Sequence, residues 1–215
     1  MKIFLFTLFS SLLLLKSSGQ TIFITKDNKH IFWQPNVKLS YSDFRGDTTT
    51  ELMNFCRKYN LSAIASVGIW SVLDVPKRNK NKKLEKVYFA PVFFKLGSIA
   101  FSQDTMQIAM QAMYFDICEY AARLARIQLE AIQDTVKSIG TLYTFYPKIE
   151  KEMQNKKLEM FHSYTKDVII DKKPGSYESW RRFYDDMLDK TKHWATKPAE
   201  CYRLLTQKPI DPDYK

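Results

Sequence analysis

The residues able to do chemistry are few and scattered. Three histidines, His30, His162 and His193, are spread over 215 residues, and no two lie within four positions of each other. Zinc sites as a rule include one close-spaced ligand pair, so these three would have to converge from separate elements. Three cysteines, Cys56, Cys118 and Cys201, show no C-x-x-C spacing. They allow one disulfide with a spare thiol, or three buried thiols. Cys118 has Arg123 and Arg126 nearby in sequence. A reactive thiol needs a base or positive charge against it in space, and a buried helix cysteine is the plainer reading. No G-x-S-x-G, P-loop or dinucleotide fingerprint is present. The densest charge run is Lys77, Arg78, Lys80, Lys82, Lys83 and Lys86. It can meet an anionic partner such as phosphate, acidic glycan or a negative membrane surface, or simply be a solvated loop. Nucleic-acid binding has no motif to support it.

The elements that must position these residues fall into two halves. TIFIT (21–25) and HIFWQ (30–34) around a KDN turn predict a hairpin. Thr48 and Glu51 predict a capping box opening a short helix through Asn60. Residues 61–75 and 86–94, rich in Val, Ile, Phe, Tyr and Trp, predict an antiparallel pair joined by the basic run. From Gln103 the period turns helical. Met106, Met110, Met113, Ile117, Tyr120, Leu124, Ile127 and Ala131 form one seam that should fade near Gly140. Pro147 predicts the start of a second helix, 147–166. A third, 176–194, should bury Tyr177, Trp180, Tyr184, Met187 and Trp194. Strands followed by three helices, without alternation, predict an α+β domain.

The N-terminus, MKIFLFTLFSSLLLLKSSGQ, has a short positive start, an apolar core too short to span a bilayer, and small residues after it. That pattern predicts a signal peptide at 1–19 and a secreted or periplasmic chain. Removing Lys2 and Lys16 lowers the formal charge from +10 to +8. Residues 20–205 then form one domain with enough chain for a core, and 206–215 an irregular, mobile tail.

Two segments carry a resemblance. FWQPNVKLSYSDFRGD (32–47) resembles a W-x-x-x-x-x-L-x-[WY]-x-D-F-x-G opening through Trp33, Leu39, Tyr41, Asp43, Phe44 and Gly46. YFDICEYAARLAR (114–126) resembles an H-F-D-I-x-E-x-x-A-R-x-x-R run through Phe115, Asp116, Ile117, Glu119, Ala122, Arg123 and Arg126. Both belong to a bacterial family of predicted secreted zinc-dependent proteases, a gluzincin-like domain of unknown function. The resemblance implies a zincin-like fold over most of the mature chain. In that family H-E-x-x-H precedes F-D-I, holding zinc on two imidazoles with the glutamate as general base.

Here those five positions read Met110, Gln111, Ala112, Met113 and Tyr114. A thioether is a poor zinc ligand, and an amide takes no proton at neutral pH. The motif is degenerate, and zinc is expected to be lost. The expected protein is a non-catalytic, pseudoenzyme relative that binds a peptide, protein or anionic glycan, or serves a structural role. The alternatives are a zinc-dependent peptidase with unorthodox ligands and a purely structural envelope component.

Overall fold

The computed structural model describes residues 23–78 and 83–215. The expected leader and the lysines at positions 80 and 82 lie outside the described residues. The chain is α+β. β1 (His30–Phe32), β3 (Val67–Asp74) and β4 (Lys86–Phe94) form an antiparallel sheet in the order β1-β4-β3, and β2 (Ala63–Ile64) pairs with β5 (Ile99–Ala100). Five α-helices are present among the described residues: α1 (Thr50–Tyr59), α2 (Thr105–Val136), α3 (Thr141–Tyr164), α4 (Ser176–Lys190) and α5 (Pro198–Thr206).

β4 explains the layering. Phe89 and Phe93 point to the side of α2, while Ala90 and Val92 point to α5, as the two-residue period of a strand requires. A strand covered on both faces reads as an unbroken apolar run, which is why KVYFAPVFF stands out in the sequence. α2 lies between this sheet and α3, and its crowded middle uses small residues: Ala121, Ala122 and Ala125 are all buried.

Several expectations need correction. The helix count is five, because α5 carries no long periodic signal. Pro198 opens it, and Cys201 and Leu204 cover the sheet. Of the hairpin expected at 21–34, positions 21 and 22 lie outside the described residues, and the rest shows a bridge between Lys26 and Ile31. Residues 61–75 divide into β2 and β3. Thr49, not Thr48, caps α1, its hydroxyl accepting from Leu52 N at 3.2 Å. Pro147 sits inside α3 instead of opening it. Its missing N–H leaves the Tyr143 carbonyl without an intrahelical donor, at a position exposed enough for water to serve. α3 continues into a π-helical turn, Thr165–Ile170, where Asp171 N reaches back to Lys166 O at 2.8 Å. Of the expected inner face of α4 only Tyr184 is fully buried.

The tail is irregular but docked. Val75 and Lys215 exchange backbone hydrogen bonds at 3.2 and 3.0 Å, and Tyr214 is buried with its hydroxyl donating to Leu84 O at 2.9 Å. Arg203 holds Asp74 through three contacts of 2.6–3.0 Å in a buried pair joining α5 to β3. None of the helices is long and apolar enough to cross a membrane among the described residues.

Candidate functional site

Positions 110–114 lie in the first half of α2, which Asp104 caps through Met106 N and Gln107 N, both at 3.0 Å. Gln111 is buried, and its Oε1 accepts a hydrogen bond from Ala65 N at 2.9 Å, tying the helix to the link between β2 and β3. The Tyr114 hydroxyl lies 2.6 Å from Thr165 Oγ1, and its ring meets Phe161 and Tyr164 edge-on at 5.0 Å. Burial raises the Tyr114 phenol above its ordinary range despite the bond to Thr165. It therefore stays neutral at physiological pH and does not offer a phenolate. The Met110 carbonyl accepts from Tyr164 Oη at 2.8 Å. Beside it lie an apolar hollow of about 350 Å³, with Ile64, Gln111, Tyr114 and Phe161 in its wall, and another of about 310 Å³ that Met110 borders with Val168 and Lys173.

The histidines do not meet. His30 on β1 bonds Asp27 at 3.2 Å and packs against Trp70. His162 is exposed on α3, and His193 is exposed beside Trp194. Among the described residues no group of three or more His, Cys, Asp or Glu is placed to hold a metal ion. The cysteines are three separate buried thiols. Burial pushes Cys118 and Cys201 up to about 12 and raises Cys56 as well, so none is poised as a nucleophile.

The retained motif residues do converge. Trp33 Nε1 donates to Asp116 Oδ1 at 2.7 Å, and Arg181 of α4 donates to Asp116 Oδ2 at 2.5 Å. The Arg123 guanidinium lies 5.0 Å above the Trp33 ring. Glu119 is fully buried. It takes Arg123 Nε at 2.7 Å, Thr196 N at 2.9 Å and Thr196 Oγ1 at 2.5 Å. Arg126 donates to Trp194 O and Thr196 Oγ1, both at 2.7 Å. Asp43 accepts from Ser40 N at 2.9 Å and so caps the 3₁₀ turn Tyr41–Asp43. Phe44 and Phe115 both pack on Phe93. A Cβ at Gly46 would meet Leu96 O at 2.8 Å, so only glycine permits that approach. Together these residues clamp the 33–46 segment and the chain after α4 onto α2.

The clamp borders a cleft of about 1010 Å³. Ile108, Ala112 and Phe115 of α2 form its floor, with Trp33 to Tyr41 on one side and Tyr177, Arg181 and Leu188 on the other. Asp116, Asp185, Asp189, Lys38 and Lys192 add mixed charge. Of positions 110–114 only Ala112 reaches it. A helix turns about 100° per residue, so the flanking positions 110 and 114 face elsewhere. Sequence reasoning passed over Arg181 and Thr196. The unexplained carboxylates Asp116 and Glu119 were the available signal, since a buried carboxylate must find donors.

The basic run is partly neutralised. Lys83 meets Asp211 at 2.8 Å and Asp213 at 2.6 Å, which holds the Asp211 carboxyl down at about 2, and Lys86 lies 4.5 Å over the Tyr214 ring. Lys77 and Arg78 remain exposed. No protein-family model, curated protein or solved structure matches the chain.

Proposed function

We propose that the protein is a non-catalytic binding protein of the cell exterior or envelope, built on a zincin-like peptidase scaffold and delivered by a cleaved leader at 1–19. Its peptide, protein or glycan partner lies in the cleft over α2. The observation that carries this reading is position 111. Where the resemblance puts a general base, a buried amide oxygen already accepts from Ala65 N. An acceptor so engaged takes no proton from a water molecule. Met110 and Tyr114 are likewise occupied in packing against the 161–169 segment. The cleft supports the other half of the reading. It has an apolar floor, aromatic walls and a few fixed charges, the composition of a ligand site.

Metal analysis of the purified mature chain tests the loss of chemistry, read beside hydrolysis of an unfolded protein substrate. The expected result is no stoichiometric zinc and no hydrolysis. One zinc per chain with measurable cleavage overturns the reading. An envelope pull-down compared with Ala112→Trp tests the cleft. The indole fills the floor, so partner recovery should fall, and undiminished recovery would move binding elsewhere.

A further inference from the structure

Where α2 turns into α3 the chain makes a convex tip that is apolar, basic and open to solvent. Residues 134–139 are all exposed, as are 143–145. Val136, Ile139 and Tyr143 expose 48%, 56% and 67% of their surface. Three large apolar side chains within eight positions form an exposed apolar projection. Lys137 and Gly140 take left-handed backbone conformations that turn the chain sharply, and a Cβ added at Gly140 would meet nothing within 4 Å. A tip of this shape encloses no small ligand. It can enter a soft surface.

The charge along 134–149 is net positive, with Asp134 against Lys137 and Lys148. From Thr135 to Ile149 there is no Asp or Glu, and the stretch carries Lys137 and Lys148. Lys148 lies 3.8 Å from Glu152 at an exposed site, and Lys137 forms no ion pair among the described residues. The nearest exposed acid in sequence is Asp134. Glu85 binds the start of β4 to the tip: its Oε1 accepts from Gly140 N at 2.5 Å, and its carbonyl accepts from Gln133 Nε2 at 3.1 Å. Asp74 on β3 stands opposite Lys86 on β4, so the exposed Lys77 and Arg78 leave the sheet at this same end. Lys83 and Lys86 add nothing free, being held by Asp211 and Asp213.

We propose that this tip docks the protein on an anionic lipid bilayer. Val136 and Ile139 enter the headgroup boundary, and Tyr143 sits at it, apolar ring inward and hydroxyl in water. Lys137 and Lys148 meet lipid phosphates, with Lys77 and Arg78 supplying longer-range attraction. Bilayer docking is independent of what the cleft holds, and it would keep the cleft near an envelope surface without a spanning helix.

Vesicle co-sedimentation tests it, using the chain from Gln20 onward, which carries every described residue. The vesicles are phosphatidylcholine alone and phosphatidylcholine with phosphatidylglycerol. The wild-type chain should bind the anionic vesicles and bind the neutral ones less. Ile139→Asp and Tyr143→Asp should each weaken anionic binding roughly tenfold or more. Lys137→Glu should weaken binding to anionic vesicles only. All three positions are exposed, so thermal melts should match wild type and a folding defect is not expected. Failure to bind anionic vesicles overturns the proposal, as does binding that both apolar variants leave unchanged. Concentration-dependent self-association that Ile139→Asp abolishes, without vesicle binding, would assign the tip to a second copy of the chain instead.

Discussion

The two faces of α2 have been built by different rules. One face, Asp116, Glu119 and Arg123, carries charges, and each is answered by a donor or acceptor from a distant element. The other, Met110, Gln111 and Tyr114, is neutral and closes against α3 and the β2–β3 link. In the proposed ancestry the second face would be where a metal ion sat. Met110 and Tyr114 offer no imidazole there, and Gln111 offers no carboxylate. The fixed charges lie on the face that holds the clamp together. What the contrast teaches is that the residues carrying the resemblance have a structural use of their own, which needs no reactive neighbour on the same helix.

The charged face is the easier one to break. Glu119→Gln keeps the shape and the Thr196 bonds but removes the counter-charge of the buried Arg123. Losing one partner of a buried ion pair costs about 3–5 kcal/mol. Urea denaturation should show a loss of that size. A loss near 1 kcal/mol would mean that Arg123 finds compensation elsewhere, and the clamp would no longer be the main use of the retained residues.

The neutral face responds to charge in the opposite sense. Gln111→Glu puts a carboxyl in a buried place with one backbone donor. Burial raises the folded-state pKa of an acid above its unfolded value. Below the unfolded pKa both states are protonated, and the variant should match wild type. As pH rises through the unfolded pKa towards the folded one, stability falls, reaching a deficit of about 2–3 kcal/mol by pH 7. Thermal melts across pH 4–8 should trace this, with and without added zinc. The triple variant Met110→His, Gln111→Glu, Tyr114→His should melt lower still, since it also loses the Tyr114–Thr165 contact. A zinc-dependent rise in its melting temperature would show that these three side chains are all that separates the site from a metal centre, and the contrast between faces would collapse.

How much of this could be read from the sequence follows from where the information lies. β4 was legible residue for residue because burial on both faces makes its apolar run continuous. α2 was legible as a helix, but its buried line only in part. Of the expected seam Met113 and Ile117 are fully buried, yet Met106 is half exposed and Ala131 is exposed, while Ile108, Gln111, Phe115, Cys118, Ala122, Ala125 and Leu129 are buried outside it. Small and polar residues mark the closest approach of neighbouring elements, and hydropathy does not score that. α5 escaped because nine residues give too few turns for a period, and one of its buried residues is Arg203, neutralised by Asp74. The clamp positions stood out in the sequence as the residues that carry the resemblance, not as mutual contacts. Their partners Arg181 and Thr196 lie 65 and 77 residues away from Asp116 and Glu119, beyond any local pattern.

The smallest expected effect sharpens the comparison most finely. Asp116 belongs to the charged face but stands at the cleft wall, part-exposed, where solvent screens its pair with Arg181. Asp116→Asn keeps an acceptor for Trp33 Nε1, and Asp185 at 2.6 Å still holds Arg181. The loss in stability should be about 0.5–1 kcal/mol, well below that of Glu119→Gln only three positions along the same helix. The change should instead appear in the cleft, as altered fluorescence of Trp33, whose indole borders both the clamp and the open space. A loss as large as that of Glu119→Gln would mean that the cleft wall, and not the buried pair behind it, is what fastens α4 to α2.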